Sequence, residues 1–142
     1  MTAELIALAP GLSVAGRLDP EDIEALAQAG VRTIINNRPD GEDPGQLPAA
    51  AAKKLAEAHG IAYHHIPITA ASLTKGDVDM FAAALRGAAQ PVVAHCRSGT
   101  RSTLLWALTR LREGADPLAL ITEAAHHGID IAALPMVAAR LR

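Results

Sequence analysis

No segment restricts what this chain can become as much as Pro91-Val-Val-Ala-His-Cys-Arg-Ser-Gly-Thr-Arg-Ser102. Pro91 to Ala94 is a short apolar run of the kind that fills a fully buried strand. A polar loop follows at once, and a long helix opens from about Ser102. A buried strand that passes through a tight loop straight into a helix belongs to an α/β architecture. The loop itself is suited to an anion. Successive N–H groups can point inward, Gly99 permits a tight backbone, and Arg101 can grip an oxyanion with two donors.

Cys96 is the only cysteine in 142 residues. On composition alone, a lone cysteine is most often a small buried hydrophobe. Its place at the strand-to-loop corner argues otherwise. The positive end of the following helix and the guanidinium of Arg101, with Arg97 nearby, favour an ionised thiol, and a thiolate is a nucleophile. Burying Arg97, Ser98, Thr100, Arg101 and Ser102 at the mouth of an apolar strand makes little structural sense without an anion to bind. His95, next to the cysteine, can orient the loop or serve as a satisfied structural histidine.

The chain is long enough to bury a core, and its length predicts a single domain over residues 1–142. Tyr63, Phe81 and Trp106 are the only aromatic residues, so the core must be aliphatic, on closely packed helices. A formal charge of −2 leaves no basic footprint for nucleic acid. No run approaches a membrane span, and Met-Thr-Ala-Glu at the start lacks the features of a secretory leader. With one cysteine and no internal disulfide, the expectation is a cytoplasmic protein with no membrane or nucleic-acid partner.

Around the central stretch, strands and helices alternate. Leu5 to Leu8 and Leu12 to Ala15, parted by Ala9-Pro10-Gly11, read as a hairpin or two edge strands. Asp19-Pro20-Glu21-Asp22 starts a helix that stops at Gly30. Val31 to Ile35 is a β-branched strand, followed by the charged loop Asn36-Asn-Arg-Pro-Asp-Gly-Glu-Asp-Pro-Gly45. Pro48 to His59 is helical, and Ile61 to Ile68 is a strand. Thr74 caps the helix that carries Val78, Phe81 and Leu85. Beyond the loop, helices are expected over Ser102 to Arg112, Pro117 to His127 and Ile131 to Arg140. This order predicts a mainly parallel sheet flanked by helices on both faces.

Metal binding is not expected. His64 and His65 adjoin on a strand and face opposite ways, and His126 and His127 sit together at a helix end. None shows the i, i+4 spacing of a helical zinc site. No cofactor is called for.

His95-Cys96-x-x-Gly99-x-Arg101-Ser102 resembles the phosphate-binding loop of cysteine-dependent protein tyrosine and dual-specificity phosphatases. The resemblance implies that Cys96 attacks phosphorus, Arg101 binds the phosphoryl oxygens, and Ser102 stabilises the thiolate as a leaving group. Those enzymes have five residues between cysteine and arginine, whereas this chain has four. Four is the spacing of rhodanese-type sulfurtransferases. A rhodanese domain, however, continues to another strand, and the 40 residues after Ser102 all read as helices and turns. Leu12 to Gly16, Ile34 to Glu42, His65 to Ile68 and Pro91 to Ser102 together resemble the small bacterial phosphatase-like family called beta-lactamase hydrolase-like. Its members have a tyrosine-phosphatase fold with this shortened loop. The name comes from fusion to a metallo-β-lactamase domain, and no such motif occurs here. Its fusion partners resemble persulfide-handling enzymes, which keeps sulfur chemistry in view.

The expected function is therefore hydrolysis of a phosphate monoester, on a protein or a small molecule, through a cysteinyl-phosphate. The alternatives are a rhodanese-like sulfurtransferase carrying a Cys96 persulfide and a non-catalytic phosphate-binding module. Catalysis would rest on Cys96, Arg101 and Ser102, with His95, Arg97, Ser98, Gly99 and Thr100 forming the phosphate loop. The leaving oxygen wants a proton, and Thr69-Ala-Ala-Ser-Leu-Thr74 offers no carboxylate before Asp77. An acid from the loop after the Val31 strand is the remaining expectation. Asp40 comes first, Glu42 and Asp43 behind it, and Arg38 would orient the loop or touch substrate.

Overall fold

A computed structural model describes residues 3–142. Five short strands form one sheet in the order β1-β2-β5-β3-β4: β1 Ile6–Ala9, β2 Leu12–Ala15, β3 Thr33–Asn36, β4 Ala62–His65 and β5 Val92–His95. β1 and β2 form an antiparallel hairpin, and every other pairing is parallel. Six helices join and cover the sheet: α1 Pro20–Gln28, α2 Ala49–Ala58, α3 Lys75–Gly87, α4 Thr100–Arg112, α5 Pro117–His126 and α6 Leu134–Arg140.

Side chains alternate along each strand, and the alternation sorts the core into two layers. From β5, Val92 and Ala94 enter a large apolar cluster with Phe81 of α3, Leu104, Leu105 and Leu108 of α4, Leu120 of α5 and Leu134 of α6. Val93 faces the other way and joins Ile23 and Leu26 of α1 and Ala52 and Ala56 of α2. β3 divides likewise, Ile35 to the first cluster and Ile34 to the second. Both faces are thus covered, as the apolar strands require. None of the helices among the described residues is long and apolar enough to cross a membrane.

Element ends differ from expectation where backbone chemistry decides them. β4 stops at His65 rather than Ile68 because Pro67 has no N–H to give the ladder. The amides of Ile66 and Ile68 still reach the carbonyls of Asn36 and Asn37, at 2.8 and 3.1 Å. α6 begins at Leu134, not Ile131, with Pro135 in its first turn, where a missing N–H is harmless. Asp130 Oδ1 holds the Ala132 amide at 2.8 Å in the preceding turn. α4 begins earlier than Ser102. Gly99 is its N-cap, at φ +92°, which places Thr100 and Arg101 in the first turn.

The register puts the site where it is. Ala15, His95 and Asn36 lie side by side at the C-terminal ends of β2, β5 and β3. The loops leaving these three parallel strands therefore meet beyond the same sheet edge, the usual ligand position in α/β proteins.

Candidate active site at the end of the central strand

β5 delivers Cys96 into the turn that becomes α4. The cysteine is fully buried, and its Sγ accepts a hydrogen bond from the Gly99 N–H at 3.1 Å. The left-handed Gly99 makes this turn possible, since a side chain would be strained at such a φ. Thr103 fastens the loop from below, its hydroxyl donating to the Gly99 carbonyl at 2.8 Å. From beside it, the Arg17 amide donates to the Arg97 carbonyl at 3.1 Å. Ser98 and Thr100 stand at the exposed rim, with the Ser98 hydroxyl 3.2 Å from that of Thr100.

Arg101 is held from three sides. Its Nη1 donates to Glu42 Oε2 at 2.8 Å and to the Ile68 carbonyl at 2.9 Å, and its Nη2 donates to Glu42 Oε1 at 2.9 Å. Of five N–H donors, these contacts engage three. The Nε–H and the second Nη2–H form the side-on pair that suits an oxyanion, and the guanidinium also hydrogen-bonds the Cys96 sulfur. Glu42 in turn accepts from Arg38 Nε at 3.1 Å. Hydrogen bonding to Arg101, with Arg38 in support, holds the Glu42 carboxyl below its ordinary value. The same pairing, with the Cys96 sulfur nearby, raises Arg101 further.

A second carboxylate, Asp43, bridges the buried Arg38 and the exposed Arg97, with Arg97 Nε 3.1 Å from Asp43 Oδ2. Gln46 folds the loop on itself. Its Nε2 donates to the Pro39 carbonyl at 2.8 Å, and its Oε1 accepts from the amides of Glu42 and Asp43 at 3.1 and 3.3 Å. Arg38 thus pairs with both Glu42 and Asp43 of the 38–46 loop. Its backbone is anchored too, by Asn36 Oδ1 on its amide and by His65 Nε2 at 2.9 Å from its carbonyl.

Asp40 does not take the expected place. Its Oδ1 accepts the Ala49 N–H at 2.9 Å, so it closes the start of α2, whose N-cap Pro48 has no side-chain acceptor. Ser102 also differs from expectation. It is fully buried, and its single hydroxyl proton goes to Asn37 Oδ1 at 2.8 Å. Asn37 spans from there to the Ile66 carbonyl and, through its amide, to the His95 carbonyl at 2.7 Å. Ser102 therefore ties α4 to the end of β3. His95 is buried behind the loop, and desolvation depresses its pKa to about 4, so it is neutral. Glu42, Asn37 and Gln46 were not singled out as loop supports. Their sequence signals are a polar stretch too charged for mere spacing and, for Asn37 and Glu42, a place in the Ile34 to Glu42 segment that carries the family resemblance.

Gly16 is a further support. A Cβ placed there would lie 3.0 Å from the Arg97 carbonyl oxygen, so a larger residue would make that carbonyl give way by a few tenths of an ångström.

Residues 4–112 match the sequence family described as "Beta-lactamase hydrolase-like protein, phosphatase-like domain". A curated beta-lactamase hydrolase-like protein of Xylella fastidiosa is 34% identical over 121 residues, 84% of this chain and 28% of that protein. One from Agrobacterium fabrum is 36% identical over 123 residues, 86% of this chain and 28% of that protein. The chain thus spans little more than a quarter of the curated relatives it matches. Among solved structures, a candidate phosphatase of Neisseria meningitidis superposes with a TM-score of 0.83 at 36% identity, covering 93% of this chain and 94% of the other. The active form of the phosphatase Tk-PTP superposes at 0.70 over 99% of this chain and 96% of the other, at 15% identity, a likeness of fold alone.

Proposed function

From its membership of the beta-lactamase hydrolase-like family, as a phosphatase-like domain with a tyrosine-phosphatase-type fold, we propose that this chain is a cysteine-dependent phosphatase. It hydrolyses a phosphate monoester in two steps. Cys96 Sγ attacks phosphorus to give a cysteinyl-phosphate, and water then releases inorganic phosphate. Arg101 and the amides of the 97–102 loop hold the equatorial oxygens, where charge gathers in the transition state. Glu42 is a positioning residue that keeps the guanidinium at one angle. Ser102 positions α4 through Asn37.

One observation carries this reading. The cysteine sulfur already receives an inward amide of the loop, while the arginine beside it is braced by Glu42 and reaches the same sulfur. A tetrahedral phosphoryl group requires donors around three oxygens, whereas a persulfide places a single sulfur at the centre. A braced arginine fork holds the phosphoryl group through both steps of the first reaction, whereas in the second it would serve only the oxyanion of an incoming donor such as thiosulfate.

The test assays the purified protein on p-nitrophenyl phosphate and, separately, on thiosulfate with cyanide, with Cys96→Ser as the control for each. Phosphate release that depends on Cys96 is expected. Thiocyanate formation as the sole Cys96-dependent reaction would make it a sulfurtransferase. Phosphate binding with neither reaction would make it a binding module.

A further inference from the structure

Resting on the phosphatase reading, we propose that no side chain among the described residues gives the departing oxygen a proton, which restricts the substrates to phosphoryl groups on stable oxyanions, the aryl and acyl phosphates. A general acid must carry a proton and be free to hand it over at the leaving group. Three loops leave strand ends beside the cysteine: the one after β2 ends in Asp19, the N-cap of α1, whose Oδ2 lies 3.5 Å from Arg17 Nη2, and those after β3 and β4 supply the other candidates. The latter two contain Asp40, Glu42 and Asp43 and, at the start of α3, Asp77.

Each of the five is committed as an acceptor. Glu42 spends both oxygens on Arg101, one of them shared with Arg38. Asp43 is shared between Arg38 and Arg97. Pairing with the two guanidinium groups holds Glu42 in its charged form, which has no proton to donate, and Asp43 is taken up as an acceptor by its two arginines. Asp40 is fixed to the Ala49 amide at the start of α2. Asp77 accepts from the Thr74 amide and hydroxyl, at 2.9 and 3.0 Å, in the cap of α3. The nearby histidines are engaged or enclosed as well. His65 Nε2 is taken by the Arg38 carbonyl, and His95 is buried and neutral.

The first step then proceeds with Cys96 as thiolate. The S–P bond forms as the P–O bond breaks, and the electron pair leaves on oxygen. That oxyanion takes its proton from water after departure. Water next attacks the cysteinyl-phosphate, releasing inorganic phosphate and restoring the thiolate. Without an acid, the first step follows the stability of the leaving oxyanion.

The experiment measures kcat/KM, which reports the first irreversible step, for p-nitrophenyl, phenyl and alkyl phosphates and for acetyl phosphate. The p-nitrophenyl ester should exceed the phenyl ester by about 10²-fold or more, the range a general acid would otherwise supply. The alkyl ester should be slower still. Activity on acetyl phosphate identifies acyl substrates, and activity on the aryl esters alone identifies aryl ones. Asp40→Asn, which retains the acceptor but cannot serve as an acid, should leave the ratio of the two aryl esters unchanged. Similar rates for both aryl esters, or a ratio widened by Asp40→Asn, would overturn the inference while leaving a phosphatase. No Cys96-dependent phosphate release from any of them would overturn the phosphatase reading and the inference together.

Discussion

His95 precedes the cysteine, is buried behind the loop, and has no hydrogen-bond partner at Nδ1. Desolvation lowers its pKa from 6.5 to about 4. In the unfolded chain it takes a proton near pH 6.5, while in the folded protein it stays neutral down to about 4. Its contribution is complete above pH 6.5 and is lost as pH falls from there to about 4, a difference of about 3 kcal/mol. Acid unfolding of the wild type should therefore steepen over that window, and His95→Asn should flatten it. Parallel curves for the two proteins would show that the histidine is not the group that titrates. Asp40 invites a stability measurement of a different kind. As the acceptor at the start of α2, its replacement by alanine should cost about 1 kcal/mol, with kcat on p-nitrophenyl phosphate nearly unchanged. A large fall in kcat at constant melting temperature would return Asp40 to the chemistry.

Among the elements, β2 has the least evident job. It lies beside β5 in parallel register, and Gly16 at its end meets the Arg97 carbonyl. Gly16→Ala should push the cysteine loop by a few tenths of an ångström or more. Misplacement of about 1 Å can cost 10²-fold in rate, so a loss of about 10-fold or more in kcat/KM is expected, with far less effect on thermal stability. Steady-state kinetics beside a melting curve would check it, and equal activity would mean that the loop yields freely. The strand, loop and helix around Cys96 were legible because their signals are local: an apolar run, a glycine, then a helical pattern. What braces them was not. Arg101 finds Glu42 across 59 positions, and Ser102 finds Asn37 across 65. Nothing in a polar loop tells which of three acids will meet an arginine and which will cap a helix. The sheet order decides that, by setting the ends of β3 and β5 side by side.

For the whole molecule, the telling fact is that the family match ends at residue 112 while the core continues. α5, α6 and the turn between them send Leu120, Ala124, Ile129, Ile131, Leu134 and Val137 into the large cluster, against Leu104, Leu105 and Leu108 of α4. This is the helical layer that the sequence after Ser102 led us to expect, and the Neisseria structure shares the fold over 93% of the chain. Leu, Ile and Val side chains contribute about 1.5–3 kcal/mol each when buried, so these residues supply on the order of 10 kcal/mol. That is comparable with the entire stability of a typical domain, about 5–15 kcal/mol. A fragment ending at Arg112 would contain every residue assigned to the cysteine loop and its braces, yet it would expose the outer side of α4. It should lose the cooperative thermal transition seen in the full chain and bind no phosphate, as judged by circular dichroism and phosphate titration. A fragment that folds and binds phosphate would show instead that the sheet, α1 to α3 and one side of α4 suffice to hold the loop. The expectation of failure follows from α4 itself: the helix whose first turn carries Arg101 and Ser102 is buried from Ser102 to Thr109, and α5 and α6 are among the elements packed against it.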